Sequence, residues 1–271
     1  MARPSIAIVV AFFGQAPQWL PAFLLSCREN RDVQWFMYTD FEVTPATPAN
    51  VTVKHMEIRD LNLRSSEVLG TKIEIQRSLA KVNDLKPAYG LIFADDLRPF
   101  DYWAYSDLDI IWGDIRHFVT DSLLNENDIV SSRADRLSGH FTLFRNTVQT
   151  NRTIELIPDL REALAHPRYR HLDERGLTRH LRDRLARTPP PSWPCVYWRQ
   201  NWTLSAAYQK ALGDTQADRL WWRNGRTFAA DGKELMYLHF NKLKQHMTTI
   251  NFGFDETPAA FTINRTGFSA I

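Results

Sequence analysis

The sequence predicts an α/β fold, built on a mostly parallel central sheet flanked by helices. Short β-rich runs recur along the first hundred residues, and helical patterns separate them. The first run, Ile6–Val10, is apolar throughout, which is typical of a strand covered on both faces. Strands that alternate with helices favour parallel pairing, because a parallel return needs a long crossover connection.

The individual elements follow from hydrophobic periodicity and turn residues. Strands are predicted at Ser5–Phe12, Val33–Tyr38, Val51–Val53, Tyr102–Ser106, Asp128–Ser132 and His140–Phe144. Helices are predicted at Glu67–Leu79, from Lys86 or Pro87 towards Leu97, at Val148–Leu164 and at Glu174–Arg187. The C-terminal part is expected to hold short strands and loops.

Composition and charge exclude several classes of protein. The chain has 271 residues, 44% hydrophobic and 24% charged, and a formal net charge of +2, which gives no indication of a nucleic-acid partner. Its 2 cysteines, Cys27 and Cys195, lie far apart. This argues against a disulfide framework or a cysteine zinc site, and it favours a cytoplasmic location. The usual glycine-rich dinucleotide and P-loop fingerprints do not occur.

The chain is predicted to form a single domain without a membrane span. The nearest approach to a linker, Thr188–Pro194, is too short to separate two domains. The apolar N-terminal run is interrupted at Gly14–Gln18, which favours a buried first strand over a signal peptide. No stretch reaches the ~20 apolar residues that a bilayer-spanning helix needs.

Asp107 and Asp109 follow the predicted strand Tyr102–Ser106. In extended backbone the two carboxylates leave the chain on the same side, where they repel each other unless a divalent cation lies between them. The alternative is a turn at a strand end, where aspartates accept bonds from backbone N–H groups. Ligands collect at the carboxyl ends of strands in open α/β sheets, which favours the metal site.

Five segments within residues 5–245, one of which contains Asp107 and Asp109, carry a resemblance to a known family and occur in the same order as in that family. They are Lys81–Gly90, Phe100–Asp109, Gly113–Ile115, Ser138–Asn146 and Tyr237–Lys242. Together they resemble an uncharacterised family of bacterial glycosyltransferase-like proteins found among polysaccharide biosynthesis enzymes. More distantly, the chain resembles the GT-A superfamily of nucleotide-sugar-dependent transferases. The sequence departs from the commonest motif of the family at Ser106, where a cysteine is frequent.

The resemblance implies a GT-A, Rossmann-like fold with two functional halves. Residues 1–130 would bind the nucleotide sugar, and residues 131–271, which include a smaller C-terminal acceptor-side region, would bind the acceptor and supply a C-terminal metal and phosphate segment. Asp107 and Asp109 match the motif that holds Mn²⁺ or Mg²⁺ against the donor diphosphate, and His239 is expected to complete the metal shell. Lys242 is expected to add positive charge on the phosphates.

Two groups of residues are predicted to bind the nucleotide sugar. Phe12, Phe13 and Gly14 follow the first strand, where GT-A enzymes receive the base and ribose; a simple core and turn is the alternative. Asp84 and Lys86 are expected to contact the base or ribose. A capped helix with a surface lysine explains these two equally well.

Two further pairs are assigned to the acceptor and to proton transfer. Gly139 would let an acceptor sugar approach the backbone, with His140 bonding a hydroxyl, although His140 could equally be a half-buried strand residue. Asp173 or Glu174 is the predicted general base, which an inverting transferase needs. The alternative is that both acids lie in the first turn of a helix for electrostatic reasons.

Two compositional features bear on the acceptor. Between Arg161 and Arg187 there are eight arginines and three histidines, which form either a solvated helical face or a surface for an anionic, lipid-linked glycan at the inner face of a membrane. Five tryptophans could pack in the core or offer a sugar platform. They are Trp193, Trp198, Trp202, Trp221 and Trp222.

The sequence therefore predicts a metal-dependent glycosyltransferase of the hexosyltransferase type, acting with a nucleotide-sugar donor in bacterial surface polysaccharide biosynthesis. Two alternatives stay open. A phosphatase of the haloacid dehalogenase type also uses two aspartates at a strand end, but usually near the N-terminus. A glycan-binding protein that keeps the GT-A shape without catalysis is the second.

Overall fold

The computed structural model describes residues 3–43, 47–75, 79–185, 194–198, 200–205, 219–247 and 249–271. The predicted linker at 188–194 therefore lies outside the described residues except for its last position. The same holds for the last two residues of the helix predicted at Glu174–Arg187, and for Trp193.

The described residues form short strands and helices throughout. The strands are β1 (Ile6–Ala11), β2 (Val33–Thr39), β3 (Val51–His55), β4 (Tyr102–Ser106), β5 (Ile110–Trp112), β6 (Ile129–Ser131), β7 (Phe141–Arg145), β8 (Val196–Tyr197), β9 (Leu220–Arg223), β10 (Arg226–Phe228), β11 (Glu234–Leu235), β12 (Tyr237–His239), β13 (Thr249–Ile250), β14 (Ala260–Ile263) and β15 (Gly267–Ala270).

The α-helices are mostly short. They are α1 (Leu20–Arg28), α2 (Ile58–Leu69), α3 (Tyr89–Ile92), α4 (Ala94–Leu97), α5 (Ile115–Phe118), α6 (Asp121–Glu126), α7 (Val148–Asn151), α8 (Leu160–Ala165) and α9 (Leu177–Leu185). Within the described residues, 3₁₀ helices cover Leu79–Ala88, Thr153–Leu156 and Lys244–His246, and a π-helical turn covers Leu172–Gly176.

The central sheet has seven strands in the order β3-β2-β1-β4-β7-β6-β8. β1 pairs in parallel with β2 and β4, and β2 pairs in parallel with β3, while β7 runs antiparallel to β4 and β6. Successive residues of β1 belong to different core clusters: Ala7 and Val9 pack on one face, and Ile6, Ile8 and Val10 on the other. The α/β fold with a mostly parallel sheet is thus confirmed.

The C-terminal part forms a smaller, second sheet in the order β11-β10-β9-β14-β15-β13. The separate pair of β5 and β12 runs antiparallel, with Ile110 opposite His239. β5 passes close to this second sheet, since a Cβ at Gly113 would lie 2.7 Å from Thr227 Oγ1 and 2.9 Å from the Leu235 carbonyl oxygen. Glycine is therefore required where the two sheets approach each other.

The helix predicted at Glu67–Leu79 is wrong. α2 instead begins at Ile58, after a capping box formed by Glu57 and Asp60. Its last residue is Leu69, and the following Gly70 caps the helix with a left-handed φ of 62°. The predicted helix Val148–Leu164 is also interrupted, because Pro158 lies between the 3₁₀ turn and α8. The stretch from Lys86 to Leu97 divides between the end of a 3₁₀ helix, α3 and α4.

No helix among the described residues is both long and apolar enough to cross a lipid bilayer.

A buried ion pair within the 3₁₀ helix Leu79–Ala88 also binds the backbone of α8 and of the segment before α9. The Lys81 ammonium donates to Asp84 at 2.9 Å and to the Ala163 carbonyl at 2.8 Å. Asp84 also accepts from the backbone N–H groups of Arg170 at 2.8 Å and Leu172 at 2.9 Å. The two side chains are 1% and 0% exposed, so each ion depends on the other for compensation.

We expect Asp84→Asn to reduce the free energy of unfolding by about 3–5 kcal/mol, because it leaves the Lys81 ammonium buried without a counter-ion. Asp95→Asn is the matched control. Asp95 pairs with Arg98 at the same spacing, but those side chains are 76% and 78% exposed, so the loss should stay below about 1 kcal/mol. Urea unfolding measures both, and equal losses would contradict the interpretation.

Candidate functional site

The site lies at the carboxyl end of β4, where Asp107 and Asp109 follow the strand. The Asp107 N–H donates to the His140 carbonyl at 3.2 Å, and the Phe240 N–H donates to the Asp109 carbonyl at 3.2 Å. Because β5 and β12 pair in register, His239 comes opposite the residue that follows Asp109. Backbone pairing thus brings together residues more than 100 positions apart.

Asp107, Asp109 and His239 form a cluster whose ligand atoms all lie within 4.8 Å of one another. His239 Nε2 is 3.3 Å from Asp109 Oδ1 and 3.8 Å from Asp107 Oδ2. This nitrogen is buried and has no hydrogen-bond partner among the described residues. Two carboxylates and one imidazole form a donor set that suits Mn²⁺ or Mg²⁺, so the three residues fit the expected metal ion.

Each aspartate of the cluster also has a lysine partner. The Lys86 ammonium donates to Asp107 and, at 2.6 Å, to the Gly139 carbonyl. Lys244 Nζ lies 3.1 Å from Asp109 Oδ2. Burial alone would raise the pKa of Asp109, but the neighbouring His239 and Lys244 outweigh it and hold this pKa well below its ordinary value. Asp109 is therefore ionised, as a carboxylate metal ligand must be.

The first of two cavities beside the cluster has a volume of about 530 Å³. Phe12, Phe13 and Trp19 contribute aromatic side chains to its wall, and Lys244 and both aspartates line it as well. Gly14 lies outside this lining: its φ is 99°, and its N–H donates to Asp40 at 2.7 Å. Gly14 therefore shapes the turn after β1 that presents the two phenylalanines.

The second cavity has a volume of about 380 Å³ and shares Asp107 with the first. Eight residues assigned from the sequence line it: Lys86, Asp107, Gly139, His140, Asp173, Glu174, His239 and Lys242. Asn83, Asp107 and Asn241 line both cavities, so the metal cluster lies on their common border.

Asp173 and Glu174 pack directly against Gly139. A Cβ at this position would lie 2.7 Å from both Asp173 Oδ2 and Glu174 Cγ, so only glycine leaves room for the acids. The Tyr169 hydroxyl donates to Asp173 Oδ1 at 2.6 Å. Burial raises the pKa of Asp173 to about 7, although Lys86 and the Tyr169 hydrogen bond lower it.

His140 lies in the second cavity beside the metal cluster. Its ring stacks on that of His239, with 4.1 Å between centroids, and its Nε2 is buried without a hydrogen-bond partner in the described part of the chain. Burial, and then the neighbouring His239, Arg133 and Lys86, hold the pKa of His140 well below its ordinary value. The imidazole is therefore neutral at pH 7 and can accept or donate one hydrogen bond.

The structure does not bring every predicted residue to the site. Asp84 is occupied by Lys81 and two backbone N–H groups and lines neither cavity. Of the predicted tryptophans, the four that are described line neither cavity, and Trp202 and Trp222 are core residues.

Several site residues were missed by the sequence analysis. Lys244 follows the predicted Lys242 by two positions, so the pattern of alternate lysines was a usable signal. Asn241 lies in the segment that contains His239 and could have been found in the same way. No sequence signal pointed to Trp19, Arg133 or Arg136, which reach the cavities from loops.

Residues 8–271 match the sequence family described as a family of unknown function, DUF6625. The chain belongs to this family. No curated protein sequence matches the chain.

Solved structures give distant likenesses. The galactosyltransferase LgtC, in complex with donor and acceptor sugar analogues, is similar at 9% identity and a TM-score of 0.44, with 87% of each chain covered. Mouse xyloside xylosyltransferase 1 is similar at 10% identity and a TM-score of 0.47, covering 88% of this chain and 98% of that one. A glycosyltransferase involved in glycosylation of the major capsid of PBCV-1 has the same identity and score, with coverages of 88% and 93%. At this distance, function is argued from the chain's own residues.

The raised pKa of Asp173 predicts a pH dependence of stability. Because its folded-state pKa of about 7 exceeds the ordinary value of 3.8, protonated Asp173 favours the folded state. That contribution, roughly 4 kcal/mol at most, is complete below about pH 4 and is lost as the pH rises to 7.

We therefore expect the stability of Asp173→Asn, relative to the unsubstituted protein, to increase between pH 4.5 and 7.5. Urea unfolding in the presence of a chelator measures this difference without interference from a metal ion. Asp95→Asn, at an exposed position, should follow the unsubstituted protein throughout. Parallel pH profiles for Asp173→Asn and the unsubstituted protein would show that this carboxyl has an ordinary pKa.

Proposed function

We propose that the chain is a metal-dependent glycosyltransferase that moves a sugar from a nucleotide-diphosphate donor to a glycan acceptor. The observation that supports this most strongly is the position of Asp107, Asp109 and His239 on the border of two cavities. A transferase needs two adjoining compartments, one for each substrate, with the departing diphosphate where they meet. The carboxyl end of a parallel sheet is also where such ligands bind.

The metal ion would be held by Asp107, Asp109 and His239. When bound, it neutralises negative charge on the diphosphate leaving group. The lysines of the chain act in the same direction: Lys244 lines the first cavity beside Asp109, and Lys242 lines the second. Both provide positive charge near the border where the diphosphate would lie.

The first cavity suits the nucleoside of the donor. Phe12 and Phe13 give it apolar walls, and Phe12 is held by an edge contact with Phe41 at 6.1 Å between ring centroids. Aromatic side chains bury the flat face of a base at low conformational cost. Asn83, which lines both cavities, supplies an amide that can bond a ribose or sugar hydroxyl.

The second cavity suits the transferred sugar and the acceptor hydroxyl. His140 offers a neutral imidazole, and Asp173 and Glu174 offer carboxyl oxygens held in place by Gly139. A base works best when its pKa lies near the working pH, and the pKa of Asp173 is about 7. Asp173 is thus the stronger proposal for the group that takes the acceptor proton in an inverting reaction, with Glu174 beside it to bind a hydroxyl.

The wider role is proposed from the sequence resemblance. It suggests hexosyl transfer in bacterial surface polysaccharide biosynthesis, with a glycan or lipid-linked glycan as acceptor. Such acceptors are built at the cytoplasmic face of the membrane, where the basic stretch between Arg161 and Arg187 could meet anionic lipids. The phosphatase alternative loses support, because the aspartate pair follows the fourth strand of the chain and not the first.

The test is a thermal-shift screen of nucleoside diphosphates and sugar nucleotides, with and without Mn²⁺. One nucleotide at a hundred times its Kd should stabilise the protein by about 2.7 kcal/mol, and only when Mn²⁺ is present. Asp109→Asn should remove this stabilisation, whereas Asp95→Asn, remote from the cluster, should retain it. A shift that is identical without metal would disprove the proposed role of the cluster.

Turnover separates the transferase from the inactive glycan-binding protein. With the sugar nucleotide that the screen identifies, the unsubstituted protein should release nucleoside diphosphate slowly when water accepts the sugar. The release should be faster when an acceptor glycan is present. Glycan binding without such release, under any divalent metal, would favour the inactive protein.

A further inference from the structure

Two arginines in the second cavity have no part in the proposed transfer. Arg133 and Arg136 lie in the loop between β6 and β7, and both line this cavity but not the first. Their guanidinium groups share one carboxylate: Asp135 lies 3.0 Å from Arg133 Nε and 3.5 Å from Arg136 Nε. Two cations against one acid leave a net positive charge on this group of three residues, while the acids Asp173 and Glu174 line another part of the same cavity.

The arginines are only partly exposed, which makes this charge difficult to explain as ordinary surface solvation. The side chains of Arg133 and Arg136 are 23% and 38% exposed. Arg136 Nε is itself buried and has no hydrogen-bond partner among the described residues. Asp135 lies 3.5 Å from this nitrogen without forming a hydrogen bond, so an oxygen atom that completes the bond would be bound with net gain.

A second nitrogen without a hydrogen-bond partner among the described residues belongs to His140, which lines the same cavity. His140 is 7% exposed, and its Nε2 is buried without a partner in the part of the chain that the structure describes. The cavity therefore combines a cationic wall with a neutral hydrogen-bonding group. Its volume of about 380 Å³ is at the lower end of the range found for small-molecule sites, as expected for a sugar unit.

We propose that the second cavity binds an acceptor glycan that carries an anionic group, a carboxylate or a phosphate, and that Arg133 and Arg136 hold this group. His140 Nε2 bonds a neighbouring hydroxyl of the same sugar. The acceptor role of this glycan rests on the proposed transferase function, whereas the anion site rests on the residues of the cavity alone. Guanidinium groups bind such oxyanions through two parallel N–H bonds, which a lysine cannot reproduce.

The donor diphosphate is a less suitable occupant for these arginines. It would lie beside Asp107 and Asp109, where Lys244 already contacts Asp109 at 3.1 Å. Lys244 lines the first cavity and the arginines line only the second. Arg133 and Arg136 instead share the second cavity with Asp173 and Glu174, where the acceptor hydroxyl is proposed to bind.

The experiment compares three probes by isothermal titration calorimetry on the full chain with Mg²⁺ present: methyl glucuronide, methyl glucoside and glucose 6-phosphate. We expect at least one anionic probe to bind about tenfold or more tightly than methyl glucoside, as a charge-assisted hydrogen bond allows. Preference for the glucuronide would identify a carboxylate, and preference for glucose 6-phosphate would identify a phosphate.

Variants assign this preference to the arginines. Arg136→Gln and Arg133→Gln should each reduce the affinity for the preferred anionic probe about tenfold and leave that for methyl glucoside unchanged. Arg152→Gln is the matched control, because Arg152 is an exposed arginine paired with Glu155 and lines neither cavity. It should keep the full preference.

Three results would overturn the anion site. The first is equal affinity for the charged and neutral probes, and the second is absence of binding by all three at tens of millimolar. The third is a loss of Mn²⁺-dependent nucleotide binding in the arginine variants with the probe affinities unchanged, which would assign the arginines to the donor. A retained anion preference in a protein that binds no nucleotide would instead refute the transferase function and support the anion site.

Discussion

Repulsion between the carboxylates of Asp107 and Asp109 is the constraint on which the site depends. Only Leu108 separates them, and Asp109 is buried, so water cannot screen the two charges. The chain answers with a separate cation for each acid, Lys86 for Asp107 and Lys244 for Asp109. These lysines lie in two 3₁₀ helices, Leu79–Ala88 and Lys244–His246, which are far apart in the sequence. Compensating one acidic pair therefore holds together elements that would otherwise have little reason to meet.

The pairing of β5 with β12 brings a third candidate metal ligand, His239, to the two aspartates. The pair is only three residues long, yet its register places His239 opposite Ile110, so the imidazole is positioned by backbone hydrogen bonds and not by a loop. The close approach at Gly113 allows the second sheet to pack behind β5. The C-terminal sheet thus has an architectural role, since it supports β5, the strand with which the histidine-bearing β12 pairs.

Sequence reasoning succeeded where the signal was local. The bounds of β4, Tyr102–Ser106, were predicted correctly, because an unbroken apolar and aromatic run ends there at an aspartate. It failed where position depends on distant parts of the chain. Asp84 looks like a surface or ligand-binding acid, but its partners Arg170 and Leu172 are more than 80 residues away, and no local pattern reveals them. The helix predicted at Glu67–Leu79 failed for a local reason: the capping box and the left-handed glycine of α2 were overlooked.

Asp84 has a consequence for the second cavity even though it does not line it. The 3₁₀ helix Leu79–Ala88 carries both Asp84 and Lys86: Asp84 binds the backbone just before Asp173, and Lys86 binds Asp107. One helix therefore holds the acid-bearing segment on one side and the metal cluster on the other. The distance between Asp173 and the cluster is set by this rigid element, and so is the balance of burial and positive charge that places the pKa of Asp173 near neutrality. The buried Lys81–Asp84 pair thus contributes to the chemistry of the cavity by holding its acidic wall in place.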